Sequence, residues 1–173
     1  LRRAEKEDDQ VSAVISPCGL YRYSLTRHVD IEGDPAEGDW GGRVLWVMLN
    51  PSTADATIND PTIKRCIAFT RAWKRGRMDV VNLYAYRATI PNTLWNVEDP
   101  VGPENDDHIG RLAEYAGLIV CAWGKPGPDP ERALHVRGLL ENRGTVYHLR
   151  LNKDGSPGHP LYLPGELRPQ PWL

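Results

Sequence analysis

Four stretches of this chain carry the apolar pattern of buried strands. Val44 to Leu49 is an uninterrupted apolar run and Leu118 to Ala122 is another, as suits strands covered on both faces. Asp79 to Tyr84 and Thr145 to Leu151 are more mixed, but they too read as strands. Between the strands the period shifts to that of helices. Over Thr62 to Arg75 an apolar stripe forms from Ile63, Cys66, Ile67 and Thr70. Asp60 can cap that helix, Pro61 suits its first position, and Gly76 can end it. Glu104 to Ala116 and Asp129 to Asn142 predict two more helices, with a short helical turn from Pro91.

The N-terminal part has a different pattern. Val11 to Ile15 and Leu20 to Thr26 flank a Pro17-Cys18-Gly19 turn and predict a hairpin. Strict alternation in the second strand places Tyr21, Tyr23 and Leu25 on one face, with Arg22 and Ser24 on the other. A Gly- and acid-rich loop, Asp30 to Gly42, then predicts an antiparallel return into the Val44 strand. Residues Leu1 to Gln10 are polar and are expected to be flexible, leaving 11–173 as a single domain. The proline-rich tail from Leu161 to Leu173 is expected to wrap the surface. Together these elements predict an α/β fold: a three-layer α/β/α sandwich with a mainly parallel four-stranded central sheet plus the hairpin.

In such sheets ligands bind beyond the carboxyl ends of the strands. The four strands run into polar or Gly/Pro-rich loops at Asn50 to Asp55, Asn82 to Arg87, Trp123 to Gly127 and Asn152 to His159. These loops are expected to share one rim, and Asn82 adds an amide inside an otherwise apolar strand. A buried amide needs partners, whether backbone groups or a ligand.

Composition narrows this picture only modestly. A formal charge of −2 and a pI near 6.2 give no global attraction to a polyanion, so a nucleic-acid surface would have to be local. The cations between Lys64 and Arg77 have no acid among them, and they supply either such a surface or a solvated helix face. The three cysteines, Cys18, Cys66 and Cys121, have no metal-like spacing and read as buried thiols. No metal or organic cofactor is expected. No apolar stretch approaches the ~18 residues of a membrane span, and a reducing, cytoplasmic setting with a monomeric chain is expected. No protein partner can be inferred. The chain begins at Leu1 with no signal-like segment, and a few residues are expected upstream.

The segments YRYSLTR, LWVMLNPSTADATINDPTIKRC, VVNLYAYRAT, DPVGPENDDHI, AWG and GHPLYL resemble those of the domain-of-unknown-function family 1643, across nearly the whole chain. Three shorter matches are similar to the uracil-DNA glycosylase superfamily. Leu49-Asn50-Pro51 is similar to its first motif, Asn82 to its base-reading asparagine, and His159-Pro160 to its last motif. The chain departs from that pattern in having Met48 and Ser52 where the first motif has glycines and Leu161 where the last has serine. It also lacks the iron–sulfur cysteines of one branch.

This second resemblance implies a base-flipping N-glycosidic hydrolase acting on DNA. Asn50 would orient the water, His159 would donate to a base oxygen, and Asp55 or Asp60 would face the cationic sugar. Asp60 serves equally as a helix cap. Asn82 would read a pyrimidine edge. Ser52, Thr53, Tyr84, Tyr86 and Trp123 would line or stack on the base, the aromatic ones serving equally as packing. Arg65, Arg71, Lys74, Arg75 and Arg87 would meet phosphates. The missing glycines point to a modified pyrimidine. Two rival functions stay open, a non-catalytic module for a nucleotide or modified base and an enzyme on free nucleosides or nucleotides.

Overall fold

The structure, a computed structural model, describes residues 11–33, 39–52 and 54–173. The expected flexible segment 1–10 and Thr53 lie outside the described residues. Seven strands form one sheet: β1 (Val11–Ile15), β2 (Arg22–His28), β3 (Asp39–Met48), β4 (Arg75–Asn82), β5 (Leu118–Cys121), β6 (Val146–His148) and β7 (Gln170–Pro171). Their order is β1-β2-β4-β3-β5-β6-β7. Strands β4, β3, β5 and β6 run parallel, while β1, β2 and β7 add antiparallel edges. The sheet is therefore a mixed seven-stranded one, and the expected four-stranded, mainly parallel sheet is too small. Nor does the chain return antiparallel from β2 into β3. Strand β2 pairs with β4 instead, and β3 lies parallel on the far side of β4. The apolar run of β3 explains this choice, because only a central strand covers both of its faces.

Helices α1 (Pro61–Ala72), α2 (Asn105–Tyr115) and α3 (Pro130–Glu141) pack on opposite sides. Val44, Trp46 and Met48 join Ile63, Cys66 and Phe69 of α1 in one apolar cluster. Leu45 and Val47 join Ile109 of α2 and Val136 of α3 in the other. Alternating residues of β3 thus serve two cores. Asp60 caps α1 by accepting from the Ile63 amide at 2.9 Å, with Pro61 following. The helix ends before the expected Arg75. Trp73 caps it and Lys74 takes a positive φ of 55°, while Gly76 lies inside β4.

Two features of β2 shape the loop beyond β3. Val14 faces Ser24 but Ile15 faces Arg22, so Tyr23 is an extra residue, a β-bulge that breaks the alternation. Tyr23 stacks on His108 of α2, with ring centroids 4.8 Å apart. Arg22 turns to the α1 side and donates to the Ala54 carbonyl at 2.6 Å. Farther along β2, Arg27 reaches the same loop. Its Nε donates to Asn59 Oδ1 at 2.7 Å, and its Nη2 donates to the carbonyls of both Asp55 and Ile58.

The tail is more ordered than a wrap. A 3-10 turn (Pro160–Tyr162) and β7, paired antiparallel to β6, anchor it. Arg65 donates to the carbonyls of Pro160 and Leu163, Trp73 to that of Leu167, and Arg168 returns a bond to Ala72. Cys66 and Cys121 are buried, as expected, and their thiol pKa values are pushed up by burial. Cys18 is exposed, contrary to the expectation of a buried thiol. No helix among the described residues is long and apolar enough to cross a membrane.

Fully buried Asp79 ties three neighbouring strands, accepting from Thr26 Oγ1 at 2.5 Å and from Arg43 at 3.1 Å. Asp79→Ala strands both donors and is expected to cost about 2–4 kcal/mol. The measurement is a lowered denaturation midpoint at unchanged m.

Candidate functional site

The parallel strands end on one cleft of about 310 Å³, within the range of small-molecule sites. Its walls come from the β3 end and following loop (Asn50, Ser52), the α1 start (Asp60, Thr62), the β4 end (Asn82), the β5 loop (Trp123, Lys125) and the tail (His159, Tyr162). The expected convergence of Asn50, Asn82, Trp123 and His159 on one rim is therefore present.

Identifiable neighbours hold Asn50, Trp123 and His159, and the backbone at Asn82. Asn50 donates through Nδ2 to the carbonyls of Pro51 and Ala88, at 2.9 and 2.8 Å. Both donors are thus used, and Oδ1 remains as an acceptor. Asn82 is 1 % exposed, and neither its Nδ2 nor its Oδ1 has a partner. The backbone beneath it is fastened from the opposite face of the sheet. Asn105 of α2 donates to the carbonyls of Asn82 and Leu83, and Arg132 of α3 donates to Leu83 at 2.7 Å. Asp106, bonded to Arg132 at 2.7 Å and His135 at 2.8 Å, keeps that arginine in place.

Gly124 carries a φ of +70° and donates to the Pro157 carbonyl at 2.8 Å. This joins the β5 loop to the segment carrying His159. Trp123 is buried, packs against Trp172 with ring centroids 5.6 Å apart, and contributes to the cleft lining. His159 accepts from the Leu161 amide at Nδ1, 3.2 Å away, so its proton in the neutral ring sits on Nε2. Burial lowers its pKa, against a smaller upward pull from Asp60. The ring is therefore a neutral N–H donor near pH 7.

The other expected site residues lie elsewhere. Asp55 builds a turn, accepting from Thr57 and Ile58 amides at 2.9 Å, and these bonds lower its pKa. Tyr84 is a core ring edge-on to Trp95, and Tyr86 sits edge-on to Tyr21. Arg65 clasps the tail, Arg71 donates to the Asp30 carbonyl, and Arg87 donates to that of Gly19. Arg75 opens β4, whose eight residues end at Asn82. At about 3.3 Å per residue the two stand roughly 23 Å apart. The basic end of α1 and the cleft thus occupy opposite edges of the sheet.

Sequence reasoning missed Arg22 and Tyr162 as cleft residues, and reached Lys125 only as part of the Trp123 to Gly127 rim loop. The only signal for Arg22 was a cation in a strand otherwise suited to burial. The bulge hid which way it turns.

An α/β protein with a strand-end cleft lined by amides, a neutral imidazole and one capping carboxylate is the class these features define. The chain matches the family described as "Protein of unknown function (DUF1643)" over residues 22–161 and belongs to it. No curated protein and no solved structure matches it.

His108, His148 and His159 all have pKa values lowered from 6.5, chiefly by burial. Folding therefore disfavours their protonation. Their contribution to stability is complete above pH 6.5 and is lost as pH falls through the depressed folded values. The unfolding midpoint is expected to drop on acidification below pH 6.5, and less steeply in His159→Gln. Replacing Arg71, Lys74 and Arg75 together with alanine is expected to leave ligand affinity at the cleft unchanged. The slope of log affinity against log salt should also be unchanged, because these cations are far from the cleft.

Proposed function

We propose that the protein hydrolyses the N-glycosidic bond of a pyrimidine, probed at Asn82 and flipped out of DNA, as the uracil-DNA-glycosylase-like motifs imply. The observation that supports this reading is the Asn82 amide, buried at the cleft with both polar atoms unpartnered. Leaving such a group unsatisfied costs about 1–3 kcal/mol, which a ligand offering one donor and one acceptor recovers. A pyrimidine edge offers that pair.

The remaining groups suit the reaction. Asn50 Oδ1 accepts from the attacking water. As the C–N bond breaks, its electron pair leaves on the base, where His159 Nε2–H donates to an exocyclic carbonyl oxygen that shares the charge. The free oxygen of Asp60 faces the sugar's developing positive charge. Water adds to the sugar carbon, and its released proton ends on the base. Helices on both faces of the parallel strands accord with a glycosylase-type fold, and the reading expects a monomer working in the cytoplasm on DNA.

A second reading, hydrolysis of a free nucleotide, is favoured by the position of the basic end of α1, at the edge of the sheet away from the cleft.

Single-turnover base release tests both readings, using DNAs carrying modified pyrimidines and the matching mononucleotides, with released base detected by mass. Asn50→Ala is expected to slow release on the order of 10²–10⁴-fold with affinity nearly unchanged. Asn82→Ala is expected to relax discrimination between bases by ~1–3 kcal/mol. Release by Asn50→Ala at the wild-type rate would refute the water-positioning role. Binding by the wild type without any release would make the protein a binding module.

A further inference from the structure

We propose that Arg22 and the first turn of α1 form a phosphate subsite within this cleft, so that its ligand is a nucleotide bearing a phosphate monoester. The assignment rests on the second reading above, a free nucleotide with its base at Asn82, for the identity of the ligand, and not for the anion.

Arg22 is 2 % exposed, yet it lines the cleft. One terminal nitrogen is used by the Ala54 carbonyl, while Nε is buried without a partner. Among the described residues no carboxylate lies within ion-pair distance of it. Burial lowers its pKa to about 10, so it is still a cation at neutral pH. A buried cation that Asp60 and Asp55 balance only from beyond ion-pair distance is costly, and a guanidinium with open donors matches phosphate oxygens.

The second, independent feature is the helix start. Helix α1 is 12 residues long and begins in the cleft wall, where Thr62 and Ile63 both line the cavity. The Asp60 side chain takes the Ile63 amide, its carbonyl takes the Lys64 amide and Pro61 has no N–H, which leaves the Thr62 amide for a ligand. The helix start adds partial positive charge. Lys125, exposed at the rim, adds a further cation. Asp60 opposes them with one carboxylate and His159 is neutral, so the cleft keeps a net positive charge. Because Arg22 is nearly inaccessible, a terminal phosphate reaches it more readily than a diester flanked by other nucleotides.

The bulge at Tyr23 gives this arrangement its origin. Regular alternation would send Arg22 to the α2 side of the sheet, where Tyr23 instead meets His108. Bulges recur beside functional sites because they re-aim one side chain.

The test is calorimetric titration of the full chain with pyrimidine nucleoside 5′-monophosphates and the matching nucleosides, repeated with inorganic phosphate as competitor. The expected result is monophosphates binding about 10–100-fold tighter than nucleosides, the range for hydrogen bonds to a charged group. Inorganic phosphate should compete, and Arg22→Gln, folded by circular dichroism, should lose the advantage. Should Arg22→Gln not fold, Arg22→Lys serves in its place. It keeps the charge without the fork, and a reduced advantage is expected.

Equal binding of monophosphates and nucleosides by the wild type overturns the subsite, as does an undiminished advantage in the folded variant. A single-stranded oligonucleotide without terminal phosphate separates the sources. Arg22-dependent binding as tight as that of monophosphates assigns the subsite to a backbone phosphate and overturns the monoester. Arg22-dependent binding of inorganic phosphate to which no base adds affinity keeps the anion site but removes the base from Asn82.

Discussion

Two arginines of β2 hold the shape of the loop on which the cleft depends. Of the apolar residues after Pro51 in this loop, Ala54 is buried while Ile58 is exposed, so packing does little to hold the segment, and its backbone carbonyls need donors. Arg22 supplies one at Ala54, and Arg27 supplies others at Asp55 and Ile58. Strand β2 does not touch β3 in the sheet, since β4 lies between them. The loop after β3 is therefore shaped from two strands away. That bracing fixes the loop that leads into α1, whose start is set locally by Asp60 and Pro61. Hydrogen bonds from charged donors to buried carbonyls are among the stronger ones available to a loop.

The parts of the fold legible in the sequence were those governed by local chemistry. The apolar run of β3, the Asp60-Pro61 helix start and the strand-end loops each have a short-range cause. The end of β3 and the start of α1 fall within a residue of expectation, whereas β3 begins at Asp39 and β4 at Arg75, ahead of their apolar runs. The rim residues Asn50, Asn82, Trp123 and His159 followed from topology, since parallel strands deliver their ends to one side. What could not be read depended on long-range choices. Pairing of β2 with β4, rather than with the next strand in the chain, is decided by which strand most needs two covered faces. Arg65 looked like one member of a basic helix face, but its partners are Pro160 and Leu163 at the other end of the chain. The period-two reading of YRYSLTR failed because one extra residue shifts the alternation, a change visible only in the register with β1.

The two faces of the sheet divide their labour. Helix α1 and the tail build the walls of the cleft, whereas α2 and α3 support its floor from behind. Asn105 and Arg132 donate from the α2–α3 side to the carbonyls of Asn82 and Leu83, where β4 ends. A rigid backbone beneath an unsatisfied amide is preorganised for a ligand, since the amide need not be reoriented on binding.

The clasp between Arg65 and the tail also has a kinetic meaning. His159 and Tyr162 reach the cleft only when the segment around them is seated on α1, nearly a hundred residues away in the chain. Contacts of that separation carry the largest loop-closure cost. The sheet can thus assemble on β3 and β4 before the cleft is whole, which makes the binding surface a late product of folding. Occupancy of the cleft would in turn draw the tail onto α1, because a ligand touching both sides stabilises only the closed form. The terminal segment is then both a wall of the pocket and the part of the molecule whose detachment a bound ligand slows.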